Sequence, residues 1–169
     1  RAILWRGPRL QRSLEQFLCD VWWADPDVLL LDLAPGTGDM ALAVAQSLPN
    51  VELVVVTTPQ PSASDVAVRA GLMALQIPVN VRGVVENMSW FDNNGARLEI
   101  FGSGGGKRVS YQLCKALGKS VPLLAQIPLD TSIREIGESG RPAVLTKDGK
   151  LANTQLANTF VSLAKSLID

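Results

Sequence analysis

Four continuous apolar runs, rich in Val, Leu and Ile, recur along the chain. They lie at residues 28–33, 51–57, 81–86 and 121–127, and turn residues bound each of them. Apolar character without alternation is typical of parallel strands that are covered on both faces. We therefore predict four parallel β-strands, one for each run.

Segments with helical periodicity flank and separate these runs. The predicted helices span residues 10–22, 39–47, 62–76, 107–117, 130–139 and 153–168. Strands that alternate with helices indicate a parallel sheet with right-handed crossovers and helices on both faces. The predicted fold class is α/β, and we predict that residues 1–169 form one domain.

Residues 89–101 interrupt the alternation of strands and helices. They contain Asp-Asn-Asn-Gly at 92–95, and Asn-Gly is suited to the positive φ angles of a two-residue hairpin turn. We predict two short strands around this turn, as a small hairpin inserted between the third strand and the next helix.

Composition removes several classes of function. Sixteen basic residues balance sixteen acidic ones, so no net charge attracts nucleic acid or anionic lipid. No apolar run approaches the roughly 18 residues of a membrane span, and no signal-peptide pattern opens the chain. We expect a cytoplasmic protein with no nucleic-acid or membrane partner. The chain has no histidine, which removes the usual general base and the commonest metal ligand.

The first candidate site follows the first predicted strand. That strand ends near Asp32, and a Pro-Gly-Thr-Gly loop then leads into a helix that Asp39 can cap. Ligands of open α/β sheets bind at the carboxyl ends of strands, where Asp32 could hold Mg²⁺ through its water shell. Gly36 and Gly38 leave backbone amides open to a γ-phosphate. An ordinary strand-end acid beside a Pro-Gly turn is the alternative.

The second candidate is Asn87, at the tip of the third predicted strand. Its carboxamide offers both a donor and an acceptor, as the N6 and N7 edge of adenine requires. The alternative is that Asn87 caps a turn. The Gly-rich sequence at 101–108 is not a phosphate loop, because Phe101 replaces the first glycine and Arg108 replaces the magnesium-binding hydroxyl.

Seven segments, in order along the chain, resemble the Mrp/ApbC family of MinD-related ATPases that carry iron–sulfur clusters. They are Trp-Arg-Gly-Pro at 5–8, Asp-Leu-Ala-Pro-Gly-Thr-Gly-Asp at 32–39, Val-Val-Thr-Thr-Pro-Gln at 55–60, Gly-Val-Val-Glu-Asn-Met-Ser at 83–89, Ile-Phe-Gly-Ser-Gly-Gly-Gly at 100–106, Gln-Ile-Pro-Leu-Asp at 126–130 and Ile-Arg-Glu-Ile-Gly-Glu-Ser-Gly-Arg-Pro at 133–142. The resemblance implies a P-loop NTPase fold of the MinD type, ATP hydrolysis, a homodimer and iron–sulfur client proteins.

The resemblance also implies roles for individual residues. Asp32 would be the magnesium-side aspartate, with ATP and Mg²⁺ as cofactors. The γ-phosphate would be sensed by Gly36, Thr37 and Gly38, and the adenine would be framed by Asn87, Pro128, Leu129 and Asp130. Thr58 and Pro59 end their strand on the same rim and are weaker candidates for nucleotide contact.

The chain departs from the family pattern at two places. The family's phosphate loop would lie upstream of Arg1, so we expect this chain to be the later part of an ATPase domain and inactive alone. The family's CPxC, which binds a bridging iron–sulfur cluster or zinc between two subunits, is replaced by Trp-Phe-Asp-Asn-Asn-Gly at 90–95. Cys19 and Cys114 lie in helical patterns, where we predict buried, reduced thiols. Two functions stay open: a cluster-assembly ATPase, or a MinD-like regulatory or positioning protein that carries no cluster.

Overall fold

The computed structural model describes residues 7–33, 38–77 and 79–168. The helices are α1 (Gly7–Cys19), α2 (Gly38–Ser47), α3 (Pro61–Gly71), α4 (Gly105–Leu117), α5 (Thr131–Glu138) and α6 (Gln155–Ile168). The strands are β1 (Glu52–Thr57), β2 (Asn80–Glu86), β3 (Phe91–Asn93), β4 (Ala96–Leu98) and β5 (Leu123–Gln126). Helix α3 continues into one 3₁₀ turn, Leu72–Leu75. Each predicted helix is present, with ends shifted by a few residues.

Within the described residues, β1, β2 and β5 form a parallel sheet with β2 in the middle. In its register, Thr57 of β1 lies beside Glu86 of β2, and Glu86 lies beside Gln126 of β5. The three strands therefore end side by side, and the loops that follow them leave from one edge of the sheet. The predicted parallel sheet is confirmed for these three strands.

Two apolar clusters cover the two faces of this sheet. One contains Val84 and is built with residues of α3 and α4; the other contains Val85 and is built with Leu156 and Leu163 of α6. Val84 and Val85 are neighbours in β2, and successive side chains of a strand point to opposite faces. Helices therefore pack on both faces, which explains why β2 is apolar without alternation.

The hairpin insertion forms as predicted. Strands β3 and β4 pair antiparallel, and the turn between them places Asn94 at φ 54° and Gly95 at φ 89°. The carboxylate of Asp92 accepts a hydrogen bond from the N–H of Gly95 at 2.7 Å, which closes the turn. Two residues with positive φ are the requirement of a type I′ turn, and Asn-Gly meets it at low cost.

The predicted strand at 28–33 is wrong. These residues have no regular secondary structure, and the side chain of Leu30 is 82% exposed. A strand is stable only when its N–H and C=O groups find partners on a neighbouring strand. Among the described residues β1 pairs only with β2, and no segment pairs with 28–33. The apolar sequence is present here, but the neighbour that would make it a strand is not among the described residues.

The two cysteines also depart from the prediction of buried thiols. Cys19, the last residue of α1, is exposed. Cys114 is half-buried in α4, and its Sγ accepts the N–H of Val121 at 3.1 Å. No described side chain of α1 belongs to either of the two apolar clusters that cover the sheet.

Candidate functional site

The ends of the three parallel strands are joined into one rim by backbone hydrogen bonds. The N–H of Asn87 donates to the carbonyl of Thr57 at 2.8 Å, and the N–H of Ile127 donates to the carbonyl of Glu86 at 2.8 Å. The N–H of Ser89 then returns to the carbonyl of Ile127 at 2.9 Å. This rim brings together three of the predicted segments: Thr58 with Pro59, Asn87, and residues 128–130.

Asn87 occupies the centre of the rim. Its Oδ1 accepts the N–H of Met88 at 2.9 Å, and Met88 has a φ of 56°, so Asn87 caps a tight turn. The turn-capping alternative is therefore what the structure shows. This hydrogen bond uses only part of the carboxamide, because Oδ1 has a second lone pair and Nδ2 has two protons. The side chain is half-buried, and these groups remain able to meet a ligand.

Thr58 follows β1 on one side of Asn87. Its Oγ1 is buried and has no hydrogen-bond partner among the described residues. An unpaired buried hydroxyl costs about 1–3 kcal/mol, so a polar ligand atom at this place would relieve that cost. The neighbouring Pro59 is buried, and both residues contact the start of α4, where a Cβ on Gly105 would lie 2.5 Å from the Thr58 carbonyl oxygen.

Residues 128–130 follow β5 on the other side of Asn87. The N–H of Leu129 donates to the carbonyl of Trp90 at 2.7 Å, and Leu129 forms a parallel bridge with Phe91 of the hairpin. Asp130 is the N-cap of α5, and its Oδ1 accepts the N–H of Ser132 at 2.8 Å. The loop therefore connects the rim to the base of the hairpin, and the Asp130 carboxylate has a structural task of its own.

The structure does not connect the other half of the predicted site to this rim. Asp32 is exposed, and no hydrogen bond or strand pairing among the described residues joins it to Thr58 or Asn87. Gly36 and Thr37 lie outside the described residues, and Gly38 is the first residue of α2. The roles of these four residues stay predictions.

Glu86 is a rim residue that sequence reasoning did not single out. Its side chain is 1% exposed; Oε2 accepts the N–H of Gly106 at 2.5 Å, and Oε1 accepts Nε2 of Gln126 at 2.7 Å. A signal was available, because Glu86 ends the apolar run at 81–86, and a carboxylate that its strand buries needs hydrogen-bond donors. The glycines at 104–106 are candidate donors, because they start a helix without a capping side chain and leave its first N–H groups without a partner from the N-cap residue.

The described part of the chain contains neither a metal-binding cluster nor a membrane-spanning helix. No three side chains of His, Cys, Asp or Glu come close enough together to hold a metal ion. No helix there has both the length and the apolar character needed to cross a membrane.

Two solved structures share the fold. The cell division ATPase MinD of Pyrococcus furiosus superposes with a TM-score of 0.61 at 23% identity, covering 98% of this chain and 62% of MinD. MinD of Pyrococcus horikoshii, solved with Mg-ADP, superposes with a TM-score of 0.64 at 22% identity, covering 98% and 60%. At this identity the likeness concerns the fold, and it confirms the predicted α/β class.

Sequence comparison finds much closer relatives. A protein of Mycobacterium leprae named iron-sulfur cluster carrier protein is 56% identical over 85% of this chain and 38% of its own length. A protein of Deinococcus radiodurans with the same name is 40% identical over 97% of this chain and 45% of its own length. The chain thus spans less than half of either relative.

A family profile agrees with both comparisons and confirms the predicted resemblance. It describes ParA-type proteins as the NUBPL iron-transfer P-loop NTPases, and it matches residues 1–168. The chain belongs to this family of P-loop NTPases.

Proposed function

We propose that the full-length protein is an ATP-binding and ATP-hydrolysing switch that serves iron–sulfur cluster carriage, and that this chain supplies the base-binding side of its nucleotide site. The observation that carries the proposal is the rim, where three parallel strands end together beside a carboxamide and a buried hydroxyl that has no hydrogen-bond partner in the described part of the chain. The names of the relatives support the cluster-carrier part. The MinD fold, solved elsewhere with Mg-ADP, supports the nucleotide part.

The chemistry of Asn87 fits adenine. The second lone pair of Oδ1 can accept the N6 amino group, while Nδ2 can donate to a neighbouring ring nitrogen. Guanine presents the O6 carbonyl where adenine presents N6, so it would place two acceptors face to face. We expect the rim to select ATP over GTP for this reason.

The phosphate side of the site is proposed on the sequence and the family. Asp32 would hold Mg²⁺ through water, and the metal would neutralise charge on the transferring phosphoryl group. The loop containing Gly36, Thr37 and Gly38 would sense the γ-phosphate. The chain contains no GxxxxGK[ST] sequence, so we place the lysine-bearing phosphate loop elsewhere in the full-length protein.

Calorimetric titration with Mg-ATP tests whether this chain holds only the base-binding side of the site while the phosphate loop lies elsewhere in the full-length protein. We expect weak or no binding by the 169-residue chain, because the phosphates carry most of the ligand's charge and the sequence contains no lysine-bearing phosphate-loop motif to hold them. The full-length protein should bind, and Asn87→Ala should weaken that binding. Low-micromolar affinity of the short chain would contradict the proposal.

Substitution of Asp32 tests the magnesium role in the full-length protein. Asp32→Asn should leave nucleotide binding largely intact and lower ATP turnover by about one to several orders of magnitude, because it weakens the metal's field in the transition state. Asp27→Asn, on another exposed acid five residues earlier, is the matched control and should leave turnover unchanged. Parental turnover in Asp32→Asn would make Asp32 a surface residue without a catalytic role.

A second candidate is a MinD-like regulatory protein that acts through partners and carries no cluster. It is favoured by the hairpin, which has Asp92, Asn93 and Asn94 where the family has cysteines; their oxygens suit Mg²⁺ or Ca²⁺, whereas iron and structural zinc take thiolates. The sulfur of Cys114 is already engaged by the backbone of Val121.

Anaerobic reconstitution with iron and sulfide separates the two candidates. We expect no stable chromophore on this protein's own cysteines. A chromophore at stoichiometric iron that disappears in Cys19→Ser or Cys114→Ser would establish resident cluster ligands and remove the second candidate. Both candidates include a homodimer, which light scattering of the full-length protein with and without ATP would detect.

A further inference from the structure

Glu86 is a buried carboxylate that the proposed chemistry does not use. It ends β2 with 1% exposure, and no lysine or arginine of the described chain forms an ion pair with it. Burying a carboxylate is costly unless hydrogen bonds compensate. Its compensation is the N–H of Gly106 on one oxygen and the side-chain amide of Gln126 on the other. Such an arrangement needs an explanation beyond packing.

The bond to Gly106 caps helix α4. The N-cap position of that helix is Gly104, which has a φ of 79° and no side chain that could accept from the first turn. Glu86 performs this task from 20 residues away: it accepts the second N–H of the helix, and its negative charge lies at the positive end of the helix dipole. Gly106 permits the approach, since a Cβ there would lie 2.8 Å from the Cβ of Glu86.

The same side chain closes a loop. The chain leaves the sheet at Asn87, forms the β3–β4 hairpin, and comes back to the end of β2 at Gly106, in the first turn of α4. Glu86 is covalently joined to the first of these points and hydrogen-bonded to the second. Through Gln126 it is also joined to β5, whose following loop lies on the other side of Asn87. One carboxylate therefore holds together the elements that surround Asn87.

We propose that Glu86 is a positioning residue for nucleotide-base selection: it caps α4 and binds Gln126, and in this way it holds the Asn87 carboxamide in the orientation that distinguishes adenine from guanine. The proposal rests on the proposed contact between Asn87 and the base. Glu86 itself touches no nucleotide, so its effect is on the ratio of ATP to GTP affinity and not on phosphate binding.

The test uses the full-length protein and the affinities for Mg-ATP and Mg-GTP, with Asn87→Ala as the reference. Gln126→Glu keeps the size of the side chain but turns its donor into an acceptor, so two carboxylates face each other and the hydrogen bond between positions 86 and 126 is lost. Glu86→Gln alone is not used for this purpose, because the Gln126 amide can turn and accept from the new donor. Combining Glu86→Gln with Gln126→Glu restores both bonds, because the amide introduced at position 86 donates to the carboxylate introduced at position 126 and still accepts from Gly106. Hydrogen exchange of the peptide at 102–110 reports the capping of α4 independently of any nucleotide.

We expect Gln126→Glu to lower the ATP-to-GTP affinity ratio by about tenfold, to speed exchange at 102–110 because the repelled Glu86 carboxylate leaves Gly106, and to leave affinity for inorganic triphosphate at the parental value. The double variant should recover the ratio and the exchange rate. This recovery is a result that a loss of general stability would not produce, and Gln126→Glu is isosteric, so the comparison survives if Glu86→Ala does not fold.

Two results would overturn the inference in different ways. If Asn87→Ala lowers the ratio while Gln126→Glu only speeds exchange, Glu86 is a helix cap and nothing more, and the proposed function stands. If Asn87→Ala leaves the ratio unchanged, the proposed base contact is wrong, and the positioning role of Glu86 is wrong with it.

Discussion

Strand β2 and residues 28–33 are two apolar runs of similar length, each with an acidic residue near its end, but their environments are opposite. Val84 of β2 is fully buried between β1 and β5, and Glu86 is held by two hydrogen bonds. Leu30 and Asp32 are exposed, and their segment pairs with no described strand. The difference lies in their neighbours and not in their hydrophobicity.

The comparison teaches what makes a strand. An apolar run gains from burial on any surface, but a strand also needs its backbone groups paired on at least one edge. β2 has a partner on each edge, whereas 28–33 has none among the described residues. The apolar side chains around the unpaired segment are exposed in the same way, including Trp22 at 88% and Phe17 at 64%. Such a surface is typical of a region that another element covers.

Hydrogen exchange should show the largest difference between the two regions. In the 169-residue chain, amides at 28–33 should exchange near the unprotected rate, because no described hydrogen bond holds them. Amides of β2 should be slower by about three orders of magnitude, since they open only with the core. Mass spectrometry of peptides from both regions measures this, and equal protection would show that 28–33 is paired in solution.

Truncation of a leucine in each region should give the next largest difference. Leu113 of α4 is fully buried against the sheet, so Leu113→Ala should lower the free energy of unfolding by about 2–5 kcal/mol. Leu30→Ala removes the same atoms from an exposed site and should stay within about 0.5 kcal/mol. Urea denaturation measures both, and comparable losses would mean that Leu30 is packed in solution.

Glycine substitutions test how tightly the rim is packed. Gly106→Ala places a Cβ 2.8 Å from Glu86 and from Leu123, so we expect a loss of about 1–3 kcal/mol from overpacking. Gly137→Ala in α5 meets no atom within 4 Å and should stabilise by about 0.5–1 kcal/mol through helix propensity. Thermal unfolding compares the two, and a stable Gly106→Ala variant would indicate that α4 can move away from Glu86.

The smallest expected effect is on an exposed carboxylate, in contrast to the buried Glu86. The hydroxyl of Thr146 donates to Asp148 at 2.6 Å and lowers the pKa of that carboxyl below its ordinary value. A lowered pKa stabilises the fold above the unfolded-state pKa, and this contribution is lost as pH falls through the folded value. Thr146→Ala should raise the pKa of Asp148, as an NMR titration would show, with little change in stability.

Much of the fold around the rim was predictable. The runs that form β1, β2 and β5 are recognisable because helices cover both faces of the sheet, which makes these strands continuously apolar, and because turn residues bound each run. The hairpin turn was recognised because few residues other than Asn94 and Gly95 accept its backbone angles. Helix α4 was predicted to begin at 107 and begins at Gly105, because its cap comes from β2 and not from a preceding residue.

The candidate site was predictable only in part. Asn87 was identified by its place after an apolar strand, and the structure puts it at the centre of the rim. The burial of Glu86 and its two hydrogen bonds were not predicted, because its donors lie 20 and 40 residues away along the chain and no local pattern links them. The hydrogen bond from the N–H of Met88 to Oδ1 of Asn87 was not predictable either, because it depends on the turn that the folded chain adopts there.

The sequence by itself determined the order of elements, the two-faced apolar strands, the hairpin turn and the family, because these depend on side-chain type and on spacing over a few residues. The tertiary structure decided which apolar runs are strands and which carboxylate is buried, because hydrogen-bond partners on a neighbouring strand or helix come from distant parts of the chain. Residues 28–33 and Glu86 mark the two sides of this division: one is an apolar run without a partner among the described strands, the other a charged residue with two.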